Sequence, residues 1–228
     1  MKSDFLRTVW LILRKDLLTE LRTREVVSTM GLFSVLTVVV FAFAFSVDEV
    51  RARLVTAGIV WVILLFSATL GVSRVFDQEQ QSGGLLALCL GPAGPVAVYV
   101  AKALGVLVFT VVTQLLTVPL MLIFLSVEVP DGGVSLLVIA LLLGSVAVAE
   151  IGTLFAGMLA NARLREVLLP LLVYPIVLPA VIAGVELTEI AMGSGLPDAQ
   201  AGWIQLMCGF DLIFAVIPAW VFGRVMID

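Results

Sequence analysis

Six stretches of this sequence run for about twenty residues or more with almost no charge, and that pattern limits the folds open to it. An α-helix rises 1.5 Å per residue and the hydrocarbon core of a bilayer is about 30 Å thick, so roughly 20 apolar residues cross it. The runs are Val26 to Val47, Leu54 to Ser73, Ala103 to Val127, Val134 to Ala160, Val167 to Val185 and Ala201 to Gly223. Glu150 alone interrupts the fourth, and Asp211 the sixth. Hydrophobic residues make up 61% of the chain and charged residues 13%, with a mean hydropathy of +1.19. A soluble domain carries about 25% charged residues, so no soluble core would hide this surface. The chain reads as an all-α membrane protein: a six-span transmembrane domain, residues 26–228, after an N-terminal segment, residues 1–25.

A further charge-free run, Ser82 to Ala101, is not counted as a span. Its Gly91-Pro92-Ala93-Gly94-Pro95 cluster would break a helix at mid-bilayer. The run instead predicts a charged, Gln-rich turn, then a short apolar helix, Leu85 to Leu90, then a turn into the third span. The distribution of cations agrees, since cytoplasmic loops hold the excess of Lys and Arg. Six spans place 11 cations inside (Lys2, Arg7, Arg14, Lys15, Arg22, Arg24, Arg74, Lys102, Arg163, Arg165 and Arg224) and 2 outside, Arg51 and Arg53. Both termini are therefore expected in the cytoplasm, and the outer loops are acidic, with Asp48, Glu49, Glu128, Asp131, Glu186, Glu189 and Asp198.

Ahead of the first span, Leu6, Val9, Trp10, Leu13, Leu17 and Leu21 recur at helical spacing among Arg7, Arg14, Lys15, Arg22 and Arg24. That pattern predicts an amphipathic helix in the cytoplasmic interface, its basic side toward anionic headgroups. Ala42-Phe43-Ala44 resembles a signal-peptide cleavage site, but four acids in the first 25 residues and a long apolar run argue against cleavage.

Absent residue types narrow the chemistry. The chain has no histidine and two cysteines, Cys89 and Cys208, which excludes His-based nucleophile triads and makes a disulfide framework improbable. No Gly-x-x-x-x-Gly-Lys-Ser/Thr motif occurs, so ATP is not expected to be hydrolysed by a P-loop in this chain. An enzyme is not expected.

The loop between spans two and three carries the most information. It reads Val75-Phe76-Asp77-Gln78-Glu79-Gln80-Gln81-Ser82-Gly83-Gly84-Leu85-Leu86-Ala87-Leu88-Cys89-Leu90-Gly91-Pro92. A short apolar helix at the membrane face either fills a hydrophobic groove on another protein or dips back into the bilayer. The spacing Asp77-x-Glu79-x-x-x-Gly83-x-Leu85-x-x-Leu88-x-x-x-Pro92 resembles the coupling-helix loop of type-2 ATP-binding-cassette permeases. Within these, the chain is similar to the CcmB family of cytochrome c maturation. The similarity rests on the opening Leu13-Arg14-Lys15-Asp16-Leu17-Leu18-x-Glu20-Leu21-Arg22-Thr23-Arg24-Glu25, on Arg74-Val75-Phe76, on Lys102, and on Asn161-Ala162-Arg163-Leu164-Arg165-Glu166 ahead of a proline-rich span. It departs at Gly84 and Leu86, where the family often has Ser or Thr and then Glu.

The resemblance implies a permease subunit in a bacterial inner membrane, pairing with itself and with an ATP-binding, CcmA-like subunit. Docking of that subunit is expected on the coupling loop, residues 74–102, through Phe76, Asp77, Glu79, Gly83, Leu85, Leu88 and Pro92. Arg163 and Arg165 form either a second contact or a pair of topology-setting charges. CcmC-like and CcmD-like membrane subunits and a haem chaperone complete the expected partners, with membrane lipid and no nucleic acid. Haem is cargo of the complex, with no cofactor bound directly: without histidine, only Tyr99, Tyr174, Met residues such as Met121 and the cysteines are left as ligands.

Glu150 and Asp211 lie within spans, where acids are costly and usually face the protein interior. Gln114, Gln205, hydroxyls, another subunit or a proton are the available partners, since no Lys or Arg is expected at that depth. They mark either a translocation path or a hydrogen-bonded structural point. Pro175 and Pro179 are expected to bend the fifth span, with Pro170 in its first turn. Gly152, Ala156 and Ala160 predict a close helix contact. Three alternatives remain: a type-2 ATP-binding-cassette permease for another substrate, a proton-coupled carrier using Asp211 and Glu150, and a passive scaffold.

Overall fold

The computed structural model describes residues 2–45, 49–81, 94–160 and 162–225. Every regular element among them is helical: α1 (Lys2–Thr23), α2 (Glu25–Phe45), α3 (Glu49–Gln81), α4 (Gly94–Phe124), α5 (Gly133–Met158), α6 (Arg165–Ala191), a 3₁₀ turn (Pro197–Ala199) and α7 (Gln200–Val225). Six of these, α2 to α7, contain segments long and apolar enough to cross a membrane. The six expected spans correspond to them one for one.

Helix α3 is the most buried of the spans, packing on α2, α4, α5 and α6. Two-thirds of its apolar window is buried within the chain, against 11% for α7 at the periphery. At the centre Trp61 is fully buried, and its indole N–H donates to Thr188 Oγ1 at 2.9 Å. The room for that ring comes from two glycines: a Cβ on Gly144 of α5 or Gly184 of α6 would overlap the indole. Small residues thus let three backbones close around one large side chain, the packing that drives helix association in lipid. The expected contact at Gly152 is also present, where a Cβ would approach Val72 Cγ2 to 2.9 Å, and Ala156 and Ala160 are buried.

Several boundaries differ from the sequence reading. Residues 74–81 continue α3 as helix rather than forming a turn, because nothing from Arg74 to Gln81 breaks a helix and Phe76 and Glu79 both face inward. Helix α4 starts at Gly94, nine residues before the expected span, since Gly94 at φ +72 and Pro95 suit a helix start. Pro170 lies in the second turn of α6, not the first, so all three prolines are interior. The predicted short helix Leu85 to Leu90 lies outside the described residues.

Candidate functional site

The site assembles at the end of the bundle expected to face the cytoplasm, and it begins with α1. This helix turns Val9, Ile12, Asp16 and Glu20 inward, a stripe at helical spacing that is apolar for two turns and then acidic. Val9 and Ile12 pack on Ala97, Val98 and Ala101 of α4. Leu6, Trp10 and Leu21, expected on the apolar face, point away from the bundle.

Each buried acid of α1 has a defined partner. The Glu20 carboxylate accepts the backbone N–H groups of Val26 at 3.1 Å and Val27 at 2.8 Å, satisfying donors that the start of α2 leaves open. Between the helices Arg24 turns the chain at φ +54. A left-handed conformation costs a non-glycine residue roughly 1–2 kcal/mol, and the Glu20 cap offsets it. Asp16 accepts from Lys102 Nζ at 2.8 Å. Lys102 also donates to Glu79 Oε1 at 2.6 Å, and Lys15 pairs with the same Glu79 oxygen and lies 3.2 Å from Asp16. Two cations and two anions from α1, α3 and α4 therefore meet in one cluster, in which Lys102 is 1% exposed.

The electrostatics follow from that geometry. Burial alone would raise the Glu79 carboxyl, but the charge and hydrogen bond of Lys102, joined by Lys15, pull it below the ordinary carboxylate range. Burial likewise disfavours the Lys15 ammonium, yet the hydrogen bond to Glu79 and the charges of Asp16 and Glu79 hold it above its usual value.

Two further links complete this end. Asp77 pairs with Arg165, the first residue of α6, whose side chain is buried. Arg74 meets Glu25 at 3.6 Å on a half-exposed surface, a contact worth little by itself.

The expected docking residues thus separate. Phe76 is buried in the core, and Glu79 is occupied by the cluster. Asp77 is partly exposed and joined to Arg165, so the two segments expected in the cytoplasm meet each other. Arg163 is exposed. Gly83, Leu85, Leu88 and Pro92 lie outside the described residues. Lys15, Asp16 and Glu20 were not expected as site residues, although the stripe Val9, Ile12, Asp16, Glu20 carries the signal. Lys102, read as a loop cation, is the single charge between Ser82 and Val127.

At the same end of the bundle, the Tyr99 hydroxyl donates to the Glu150 carbonyl at 3.2 Å, which sets Glu150 level with the second turn of α4. Lys102 lies one turn further along, so a cation does reach this depth, contrary to the sequence reading, but it is turned to Asp16 and Glu79. Asp211 is 8% exposed. Neither oxygen of Asp211, nor Oε2 of Glu150, has a hydrogen-bond partner among the described residues. Gln114, a candidate partner, instead donates to Ser145 Oγ at 3.0 Å.

Comparison with known proteins agrees with this architecture. The chain is 32% identical over 141 residues to heme exporter protein B of Rhodobacter capsulatus, covering 62% of this chain and 63% of that protein. It is 28% identical over 196 residues to the protein of the same name from Haemophilus influenzae, covering 86% of each. A relative so named in Pseudomonas aeruginosa is 24% identical over 189 residues, covering 83% of each. The model of the CcmB protein family matches residues 7–226, nearly the whole length, and the chain belongs to that family.

Proposed function

We propose that this chain is the membrane permease subunit of an ATP-binding-cassette complex that serves haem export in cytochrome c maturation. It would reside in a bacterial inner membrane with both termini cytoplasmic and pair with a second copy of itself. A separate CcmA-like subunit would bind and hydrolyse ATP. CcmC-like and CcmD-like subunits and a haem chaperone would handle the cargo, either haem itself or the release of the loaded chaperone. The relatives' names, heme exporter protein B, supply the cargo class.

One observation carries the reading. The segment 82–93 joins two helix ends that are tied, through Glu79, Lys102 and the Asp77–Arg165 pair, to α1 and α6. A push on that segment has a route into most of the bundle. The ATPase contact is assigned to Gly83, Leu85, Leu88 and Pro92, flanked by Asp77 and Arg163, with Phe76 and Arg165 supporting it from within; Glu79, expected there, is taken up by the charge cluster instead. Leu85→Glu and Leu88→Glu are expected to release an ATPase that co-purifies with the native complex in mild detergent. Unchanged co-purification would sink the assignment.

The Asp211 carboxyl and Glu150 Oε2, without hydrogen-bond partners among the described residues, favour a second reading, a proton-coupled carrier. Such a carrier would transport after reconstitution without any ATPase; the permease would not.

A further inference from the structure

We propose that Lys15, Asp16, Glu79 and Lys102 form a charge-balanced latch that makes α1, the end of α3 and the first turns of α4 move as one body, with Lys102 as the positioning residue. Its functional consequence rests on the permease reading; its mechanical part rests on this chain alone.

Displacement of residues 82–93 enters the described helices through the end of α3 or the start of α4. Glu79 lies just before that segment, and Lys102 lies eight residues into α4, about 12 Å along the helix axis. Lys102 Nζ bridges the Glu79 and Asp16 carboxylates at 2.6 and 2.8 Å, so one ammonium joins α3, α4 and α1. Lys15 supplies the second cation, so the charges of these four side chains cancel among themselves.

Apolar packing alone does not define how α1 sits on α4. The apolar cluster there sets Phe5, Val9 and Ile12 of α1 on Ala97, Val98, Val100 and Ala101, a non-directional contact on mostly small side chains. Directional charge pairs define that seat. A buried ion pair adds little stability over apolar residues of the same size, and its best-attested use is to fix register. The latch lets α1, which leads directly into α2 through the Glu20 cap, follow the loop instead of slipping past it.

The test separates stability from transmission by comparing Lys102→Met, the double variant Lys102→Met/Glu79→Gln, and Lys102→Arg in the complex purified from native membranes. Lys102→Met leaves two acids against one cation and lowers the melting temperature. The double variant leaves Lys15 balanced by Asp16, so the melting temperature recovers and the ATPase subunit stays bound. ATP hydrolysis then continues while c-type cytochromes fall several-fold, and Lys102→Arg keeps both. A double variant no more stable than Lys102→Met, or one with wild-type cytochrome levels, overturns the latch.

A second measurement needs no partner. Spin labels at the exposed positions Leu18 and Leu70, with Cys89 and Cys208 replaced by Ser, report the separation of α1 and α3 in nanodiscs. One narrow distance distribution is expected in the otherwise unaltered chain and in Lys102→Arg, broadened in the double variant. A narrow distribution in the double variant overturns the proposal. A broadened one, in a protein whose complete deletion leaves c-type cytochromes intact, supports the latch and removes the permease reading instead.

Discussion

At the residue scale, the buried charges give stability a predictable dependence on pH. Glu79 is held ionised below its ordinary value of 4.5, so its contribution is fully present above that value and lost as pH falls through the lower folded one. Lys15 is held protonated above its ordinary value of 10.5, so its contribution is present below that value and lost as pH rises through the higher folded one. The melting temperature is expected to be level from about pH 5 to pH 9 with respect to these groups. Glu79→Gln should lower it across that plateau and flatten its fall in acid, measured by a thermal-shift series; an unchanged acid limb would contradict the assignment. Glu20→Ala removes the cap of α2 and should cost about 1–2 kcal/mol, read from chemical denaturation in detergent. Asp211→Leu has the opposite sign. A buried carboxyl without a partner is a cost to the fold, so that variant of the isolated chain should melt at the same temperature or higher.

At the element scale, the seat of Trp61 decides how α3, α5 and α6 approach. Gly184→Val places a branched side chain where the indole lies and should cost about 1–3 kcal/mol through overpacking. Thr188→Val keeps the side chain's size and loses one hydrogen bond from the Trp61 indole, an interaction worth about 0.6 kcal/mol between membrane helices. Thermal unfolding of the two variants should therefore rank Gly184→Val well below Thr188→Val, and equal values would mean that the glycines do not set the helix spacing. The three interior prolines of α6 each remove a backbone donor along the helix that receives Trp61. Rigid packing at the centre thus adjoins a helix with weakened internal bonding, which favours bending of α6 around the fixed core.

At the scale of the molecule, charge is concentrated where helix ends meet. Pairs join α1 to α3 and α4, α2 to α3, and α3 to α6, all at the end that carries α1. Rearrangement of the spans therefore has to begin at, or pass through, this end. Truncation of residues 2–23 should leave the six apolar spans inserted, since each is apolar enough to cross unaided. Loss of Lys15 and Asp16 would strip the buried Glu79 and Lys102 of their α1 partners, and c-type cytochromes should fall with it. Protease mapping of spheroplasts together with cytochrome staining checks both outcomes.

The sequence by itself determined the solvent, the number of spans and their order, because transfer of twenty apolar residues into lipid is a local property that needs no neighbour to define it. It also marked the ends of α2, α5 and α7 to within a few residues, though not the end of α3 or the start of α4, and the Gly152 contact through small-residue spacing. It did not show that α3 runs on to Gln81, that Phe76 and Glu79 face inward, or that Lys102 is shared between Asp16 and Glu79. Those depend on which faces three helices turn toward one another, across 86 residues between Asp16 and Lys102. A lone cation beside an apolar run looks the same in a sequence whether it anchors topology or locks a helix. Only packing brings the two carboxylates within reach, and so only the tertiary structure could turn scattered charges into a single joint.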